Sequence, residues 1–341
     1  MGVAKTSLTA RPRLALITPA SAKDNVGNWH TAARWARFLR PHFQVALQAH
    51  WTASDTTART APCAMIALHA RKSADAIAAF ARAYPHQPLI VVLTGTDLYR
   101  DIHTDAAAQR SLALATRLVV LNELGARALP ARFRQKVRVI VQSAPRLKPI
   151  DHLAKGPRAR FRVISVGHLR DEKDSALVMA CARALADPRI DILHLGQALD
   201  ARLGKRALQT QAQCARYRWR SVSRAQARQA MRRADLLLHP SKMEGGAQAI
   251  IEAICAGTPV IASAIDGNMG LLGLDYPGLF PVGDVVACQR LIERAAHEPA
   301  FYRRLLRACQ RRTALFDPQR EADAVNRLVR ACLKDHAHPI A

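Results

Sequence analysis

Two glutamates with seven residues between them enclose a glycine pair in the segment 239–263, HPSKMEGGAQAIIEAICAGTPVIAS. Glu244 directly precedes Gly245 and Gly246, and Glu252 lies about one turn into the apolar helix that the following residues predict. A helical side chain leans toward the N-terminus of its helix, so both carboxylates can reach one ligand at the helix start. Carboxylates accept hydrogen bonds from hydroxyl pairs well, which indicates a ligand that carries sugar or ribose diols.

The start of this helix, at Ala247 or Gln248, adds a second kind of chemistry. Its free N–H groups and the helix dipole favour an anion, and the glycine pair lets the backbone approach a ligand closely. The alternative interpretation makes Glu252 an ordinary solvated helix residue. A carboxylate without a function would be costly among its apolar neighbours, which are Ile250, Ile251, Ala253 and Ile254.

The elements that must position these residues follow a regular alternation of short β-branched runs and helical patterns, which predicts parallel sheets with crossover helices. The first half predicts strands at 13–20, 43–50, 63–69, 88–95, 117–122 and 136–143, with helices such as 28–40 and 71–84. The second half predicts strands at 161–169, 189–196, 216–220, 236–241, 259–264 and 278–283, with helices near 174–186, 223–234, 248–256, 285–297 and 299–312. The expected fold class is α/β, with two Rossmann-like, doubly wound domains that face each other across a cleft and bind ligands at the carboxyl ends of their strands.

The length of 341 residues favours two domains over one compact core. A segment rich in proline and charge, 144–160, reads as the linker between them. We therefore expect an N-terminal domain over 1–150, a C-terminal domain over 158–316, and a final helix over 317–335 that packs back toward the N-terminal domain.

Polar residues follow the first predicted strand, where a helix begins near Asn28 or Trp29. The candidates for holding a small polar acceptor are Lys23, Asn25, Gly27, Asn28 and Trp29. A helix start favours an anion, which would suit such an acceptor. Ordinary core packing remains the alternative for Trp29, and an ordinary helix cap remains the alternative for Asn28.

Two further strand ends in the first half carry side chains that could do chemistry. The stretch IALHARKS places His69 and Lys72 after a buried strand, and LTGTDLYRD places Thr96, Asp97 and Arg100 after the next. Asp97 could serve as a base or as an orienting carboxylate, and Thr96 could contact the acceptor. A purely structural role remains the alternative for His69.

Composition limits the function classes. The net charge of +25 permits nucleic-acid binding, but the arginines are spread over nearly every helix, so a solvated surface is the preferred interpretation. The seven cysteines include no C-x-x-C pair and read as reduced thiols of a cytoplasmic protein. The chain contains no apolar run long enough for a spanning helix and no secretory signal at its start, so we expect no stable membrane association.

The segment around Glu244 and Glu252 resembles the signature of the family 4 glycosyltransferases with the GT-B fold. In that family the first Glu contacts the donor sugar and the second holds the nucleotide ribose, which implies these roles for Glu244 and Glu252. The family usually has an aromatic residue between the two glycines of the loop, whereas Gly245 and Gly246 are adjacent here.

A second segment, VISVGHLRDEKD, resembles the family's first strand and turn of the donor domain. The family's Lys and Arg neutralise the donor diphosphate, and a leaving diphosphate builds up charge that fixed cations stabilise. Lys173 aligns with that Lys, while His168 stands at the position of the Arg and Arg170 lies two residues on. Either His168 or Arg170 replaces the missing cation, and a plain solvated turn is the alternative.

Several stretches together are similar to the selenosugar synthases of selenoneine biosynthesis, namely NVGNWHTAARWARFL, LTGTDLYRDI, SVGHLRDEKD and DGNMGLLGLDYPGLFPVGD. The resemblance implies transfer of a hexosyl group, typically N-acetylglucosamine, from a UDP-sugar to selenophosphate with formation of a C–Se bond. No Asp-x-Asp pair or His cluster offers a divalent-ion site, so we expect no cofactor and no metal. The alternatives are another family 4 hexosyltransferase with a lipid, glycan or small-metabolite acceptor, a GT-B epimerase of nucleotide sugars, and a nucleic-acid binder.

Overall fold

Parallel strands joined by crossover helices build both halves of the chain, as the sequence predicts. The computed structural model describes residues 11–19, 27–52, 61–150 and 160–337. The chain divides into a first unit, which combines the residues up to Val120 with Leu129–Ile140 and the residues from Ala322 onward, and a second unit, which combines Leu121–Ala128 with Val141–Glu321. Because each unit combines separate stretches, a single boundary near residue 150 stays a prediction.

The described part of the first unit contains one six-stranded parallel sheet with the order β2-β1-β3-β4-β5-β6. Its strands are β1 (Arg13–Ile17), β2 (Gln44–Gln48), β3 (Ala64–Leu68), β4 (Leu89–Leu93), β5 (Arg117–Val120) and β6 (Val137–Val139). Its helices are α1 (Gly27–Leu39), α2 (Ala74–Ala83), the single turn α3 (Ile102–Thr104) and α4 (Ala106–Leu114). Every residue of β3 and β4 is buried, as expected for parallel strands that helices cover on both faces.

The second unit contains a six-stranded parallel sheet with the order β12-β11-β10-β7-β8-β9 in its described residues. Its strands are β7 (Phe161–Val166), β8 (Ile190–Leu195), β9 (Tyr217–Arg220), β10 (Leu236–His239), β11 (Val260–Ser263) and β12 (Leu279–Phe280). Its helices are α5 (Ser175–Ala184), α6 (Ala201–Gln213), α7 (Arg224–Arg233), α8 (Gln248–Ala256), α9 (Asp266–Leu272), α10 (Val285–His297) and α11 (Pro299–Arg312).

The final helix, α12 (Pro318–Ala337), begins at the proline that the sequence marks as a break. Its later turns belong to the first unit, where Asn326 donates a hydrogen bond to the carbonyl of Phe38 at 3.1 Å. Arg117 and Asp335 form an ion pair at 2.9 Å in the same unit. Within the described residues, no helix combines the length and the apolarity that crossing a membrane requires.

Each sheet has one point where the strand order reverses, and ligands of doubly wound folds bind beyond the strands at such points. In the second unit this point lies between β7 and β10, which pair in register through Val163 with Leu236 and Ile164 with Leu237. In the first unit it lies between β1 and β3. The loops that follow these four strands are therefore the places to look for sites.

Candidate active site

Glu244 lies in the loop after β10 and is buried, with 7% of its surface exposed. Its Oε1 accepts hydrogen bonds from Lys173 Nζ, in the turn after β7, and from His239 Nε2 at 3.0 Å. The backbone N–H of Lys242 also donates to the carbonyl of Glu172 at 2.9 Å, which ties the loop to the turn. The structure thus joins two predicted site residues, Lys173 and Glu244, across the switch point of the second sheet.

The ionisation of Glu244 follows from this environment. Burial by itself would raise its pKa, but the charge of Lys173 and the hydrogen bond from His239 outweigh burial and hold the pKa well below the ordinary value. The carboxylate is therefore charged at neutral pH and can accept hydrogen bonds from hydroxyl groups.

The glycine pair of the loop is explained by its close neighbours in the second unit. The carbonyl of Gly245 accepts a hydrogen bond from Asn122 Nδ2 at 2.8 Å. A Cβ atom added at Gly246 would lie 2.7 Å from Gln142 Oε1 and 2.8 Å from Leu121 Cβ. The side chains of Gln142 and Leu121 fill the space that a larger residue at position 246 would need, so a glycine fits there.

Helix α9 holds the same loop from another direction. A Cβ atom added at Gly267 would lie only 1.8 Å from the carbonyl oxygen of Glu244. At Gly270 it would lie 2.4 Å from Asn122 Oδ1. Gly267 therefore lets the backbone of α9 reach the loop that carries Glu244, and Gly270 leaves room for Asn122, which binds that loop.

Glu252 lies in the first turns of α8 and is buried, so the alternative interpretation of a solvated helix residue is wrong. Its Oε1 accepts two hydrogen bonds from Arg224, from Nε at 2.9 Å and from Nη2 at 2.5 Å. Arg224 is the first residue of α7 and lies 28 positions away in the sequence. Since one oxygen receives both bonds, the second oxygen of Glu252 can accept from a ligand diol.

His168 and Arg170, which both follow β7, differ in their hydrogen bonds. His168 Nδ1 accepts a hydrogen bond from the backbone N–H of Gln197 at 3.1 Å. Nε of Arg170 is buried and has no hydrogen-bond partner among the described residues. A buried donor without a partner is costly, so this geometry favours Arg170 over His168 as the group that meets an anionic ligand.

Helix α8 starts as the sequence predicts, with buried Ala247 at its N-cap and Gln248 as its first residue. The side chain of Gln248 donates to the carbonyl of Ser143 at 3.1 Å. The helix ends at Gly257, whose φ of +82° lies in the left-handed region that glycine tolerates. This terminus explains the Ala-Gly-Thr-Pro sequence that leads into β11.

In the first unit, His69 ends β3 in a left-handed conformation with φ of +73° and is buried. Its Nδ1 accepts from the backbone N–H of Lys72 at 3.3 Å, which leaves the proton on Nε2, 3.1 Å from Thr96 Oγ1. Burial lowers the pKa of His69, although the nearby charge of Asp97 opposes that effect. His69 is therefore neutral at pH 7, and its predicted catalytic role stays a prediction.

Asp97 is fully buried, and both of its oxygens accept backbone hydrogen bonds. Oδ1 accepts from Thr94 at 2.8 Å and from Gly95 at 2.9 Å, and Oδ2 accepts from Ala70 at 2.9 Å. These bonds connect the loops after β3 and β4, so the geometry favours an orienting carboxylate over a general base.

The predicted acceptor residues fall partly within the described chain. Gly27 is the first residue of α1, followed by Asn28 and Trp29, which are both half-buried. Lys23 and Asn25 lie outside the described residues. Their contribution to acceptor binding stays a prediction.

Comparison with known proteins shows a family match over part of the chain. Residues 154–312 match the family described as glycosyl transferases group 1, and this match covers most of the second unit. HepE of Anabaena, solved in complex with UDP-glucose, has a TM-score of 0.72 at 16% sequence identity, over 94% of this chain and 99% of HepE. The chain has the GT-B fold, and the match over residues 154–312 supports a glycosyltransferase.

Two further proteins extend the comparison. Sucrose-phosphate synthase from Thermosynechococcus elongatus has a TM-score of 0.76 at 17% identity, over 95% of this chain and all of that chain. The protein CapJ of Staphylococcus aureus is 42% identical over 64 residues, which is 19% of this chain and only 16% of CapJ. At these identities the solved structures establish the fold, and the predicted fold class is confirmed.

Several residues of the site were not predicted. Arg224 has no distinguishing signal, because it is one of many arginines in SRAQARQAMRRA. His239 ends β10 directly before the signature, and a polar residue at the carboxyl end of a buried strand was a usable signal. Asn122, which binds the glycine loop, is separated from it by 123 positions and could not be connected to it from one sequence.

Proposed function

We propose that this glycosyltransferase moves a hexosyl group, N-acetylglucosamine, from a UDP-sugar to selenophosphate. The observation that carries the donor half of this proposal is the joining of Lys173 and Glu244 at the switch point of the second sheet. A cation and a carboxylate held together there suit a ligand that carries both phosphate and hydroxyl groups. HepE, which has the same fold, is known in complex with UDP-glucose, which supports a UDP-sugar as donor.

In this proposal, each part of the UDP-sugar contacts particular residues of the second unit. Glu252 binds the ribose through the oxygen that Arg224 does not use, and Glu244 binds sugar hydroxyls. The diphosphate is bound by Arg170, whose buried Nε has no partner among the described residues, by Lys173, and by the N-terminus of α8. Fixed cations directed at the leaving diphosphate stabilise the charge that grows in the transition state.

The choice of selenophosphate as the acceptor rests on the resemblance to selenosugar synthases. The selenium of selenophosphate attacks the anomeric carbon, a C–Se bond forms, the bond from that carbon to the diphosphate oxygen breaks, and UDP leaves with the bonding electrons. Ionised selenium is already a strong nucleophile, so the reaction requires no strong general base. This agrees with the geometry of Asp97, whose oxygens are occupied by backbone N–H groups.

Among the described residues, no group of three or more His, Cys, Asp or Glu side chains could hold a metal ion. Independence of metal stays part of the proposal, as do the cytoplasmic location and the lack of a nucleic-acid partner. Activity that survives treatment with a chelator would support the first of these.

The test is incubation of the protein with UDP-N-acetylglucosamine and selenophosphate, followed by mass spectrometry. We expect a product with the selenium isotope pattern and the mass of an N-acetylhexosamine joined to selenophosphate, together with released UDP. Turnover of the same donor with a polyprenyl phosphate or a glycan, but none with selenophosphate, would instead favour the lipid or glycan transferase that the sequence left as the alternative.

A further inference from the structure

We propose that Arg71 and Arg100, which are both held by the buried carboxylate of Asp101, form the site in the first unit that binds the phosphorus oxyanion of the acceptor. This inference rests on the proposed function, since it names the residues that recognise a phosphate-class acceptor. We call the three residues Arg71, Arg100 and Asp101 the arginine clamp.

The geometry of the arginine clamp is specific. Arg71 Nε donates to Asp101 Oδ2 at 2.8 Å, and Arg100 Nε donates to Asp101 Oδ1 at 3.0 Å. The Asp101 side chain is 6% exposed, whereas 41% of the Arg71 side chain and 46% of the Arg100 side chain are exposed. One buried carboxylate thus holds two arginines that reach the surface.

The contact through Nε determines what Arg71 can do next. A guanidinium that is held at Nε still has its terminal Nη groups, whose fork geometry matches the oxygens of a phosphate. Asp101 contacts Arg71 through Nε, so the terminal groups of Arg71 can bind a second anion. Lys72, the next residue after Arg71, adds another cation. The cluster therefore favours an anion.

The turn that presents Arg71 is rigid. Ser73 Oγ donates to the carbonyl of Leu68 at 2.7 Å, Ser111 Oγ donates to the carbonyl of Ala70 at 2.7 Å, and the N–H of Ala70 donates to Asp97. His69 begins this turn in a left-handed conformation, which costs a non-glycine residue about 1–3 kcal/mol and persists only where neighbours enforce it. Strain of this kind, enforced by several buried hydrogen bonds, is common at binding sites.

The position in the fold agrees with a ligand site. Arg71 follows β3, and β3 borders β1 at the switch point of the first sheet. His69 Nε2 lies 4.0 Å from Asp101 Oδ2 and 3.1 Å from Thr96 Oγ1, so the clamp adjoins two residues that the sequence already assigned to chemistry or acceptor binding.

The competing explanation is a surface ion-pair cluster with no ligand, because exposed pairs are common and contribute only about 0–1 kcal/mol each. The two explanations differ in whether the cluster binds phosphate. We would titrate inorganic phosphate into full-length protein saturated with UDP, so that the donor site is filled, and measure binding by calorimetry for the wild type, Arg71→Ala, Arg71→Lys and Arg82→Ala. Arg82 is an exposed arginine on α2 in the same unit and is the matched control.

We expect Arg71→Ala to weaken phosphate binding by about tenfold or more, and Arg71→Lys to weaken it as well because lysine lacks the fork. Arg82→Ala should bind phosphate like the wild type, and UDP affinity should be the same in all four proteins. Phosphate binding that is absent in the wild type, or equal in Arg71→Ala and the wild type, would overturn the arginine clamp.

The failure of the clamp and the failure of the proposed function can be told apart. If the wild type forms the selenosugar and Arg71→Ala keeps the wild-type KM for selenophosphate, the clamp is wrong and the transferase stands. If the wild type forms no selenosugar while its phosphate binding depends on Arg71, the acceptor assignment is wrong and the clamp stands.

Discussion

Asp174 follows Lys173 directly and adopts a left-handed conformation, with φ of 46° and ψ of 48°. That conformation costs a residue with a Cβ atom about 1–2 kcal/mol, and only glycine adopts it freely. Asp174 is also buried, and burial raises the pKa of its carboxyl group. The residue next to Lys173 is therefore both strained and poorly solvated.

Replacement of Asp174 by glycine should stabilise the protein. We expect Asp174→Gly to raise the free energy of unfolding by about 1 kcal/mol at pH 7, because it removes the backbone strain and a poorly solvated charge. Asp174→Ala is the matched control, since it removes the charge but keeps the strain, and it should gain less. Urea unfolding of the three proteins measures both differences; equal stability of the glycine and alanine variants would show that the strain is not significant.

At this scale the sequence suggested residues for the proposed donor site but not what holds them. Glu244 and Glu252 are recognisable because of their spacing in an apolar setting, and Lys173 is recognisable through the resemblance of its turn to the family 4 glycosyltransferases. Their partners Arg224 and His239 act through space, and one sequence does not reveal which of many arginines folds onto a given glutamate. A solvated Glu252 was already disfavoured by its apolar neighbours in the sequence, and its burial agrees with that argument.

Among the elements, α9 is the one whose packing can be tested most sharply. Gly267→Ala places a methyl group against the carbonyl of Glu244, so the loop or the helix must move. We expect the substitution to lower the free energy of unfolding by about 1–3 kcal/mol, the usual cost of overpacking, and to weaken UDP binding as well. Thermal unfolding and UDP titration measure the two effects.

Gly27→Ala is the control for that experiment, because a Cβ atom at Gly27 would meet no atom within 4 Å among the described residues. Its stability should equal or slightly exceed that of the wild type, since alanine favours a helix over glycine. If Gly267→Ala is as stable as Gly27→Ala and binds UDP normally, the packing of α9 on the loop that carries Glu244 is incorrect.

The twelve predicted strands are all present among the described residues, with shorter bounds, because β-branched runs between turn residues are a strong signal. Helices α6 and α9 were not predicted. Helix α6 is rich in Ala, Leu, Arg and Gln, which favour a helix, so its sequence offered a usable signal. Helix α9 contains two glycines in seven residues, which argues against a helix, and its packing on the loop that carries Glu244 is not local information.

For the molecule as a whole, the dependence of stability on pH has an identifiable contributor in the second unit. His194 is buried in β8, its Nδ1 lies 3.0 Å from the hydroxyl of Tyr217, and burial lowers its pKa from 6.5 to about 4. The native protein therefore binds a proton less readily than the unfolded chain does. Stability is retained above pH 6.5 and is lost as the pH falls toward 4.

We expect the wild type to lose up to about 3 kcal/mol more of its unfolding free energy between pH 6.5 and pH 4 than His194→Gln does. Glutamine keeps a polar contact with Tyr217 but does not titrate in this range. Urea unfolding at several pH values checks the difference. Parallel pH profiles for the two proteins would rule out His194 as the group responsible.

At this scale the sequence predicted two doubly wound halves but not how the chain distributes itself between them. The stretch Leu121–Ala128 belongs to the second unit, and residues from Ala322 onward belong to the first. Neither stretch has the composition of a linker, so nothing local marks where the chain passes from one unit to the other. The parallel sheets follow from a pattern repeated along the chain, whereas these crossings depend on contacts between distant residues.

The most direct test of the central claim is a calorimetric titration of UDP into the wild type, Glu252→Ala and Glu298→Ala. Glu298 is an exposed carboxylate of the second unit that pairs with Arg294, and it serves as the control. We expect Glu252→Ala to bind UDP about tenfold more weakly or worse, because the ribose loses a charged acceptor, and Glu298→Ala to bind it normally. A folded Glu252→Ala variant that binds UDP as tightly as the wild type would contradict the assignment of the donor site.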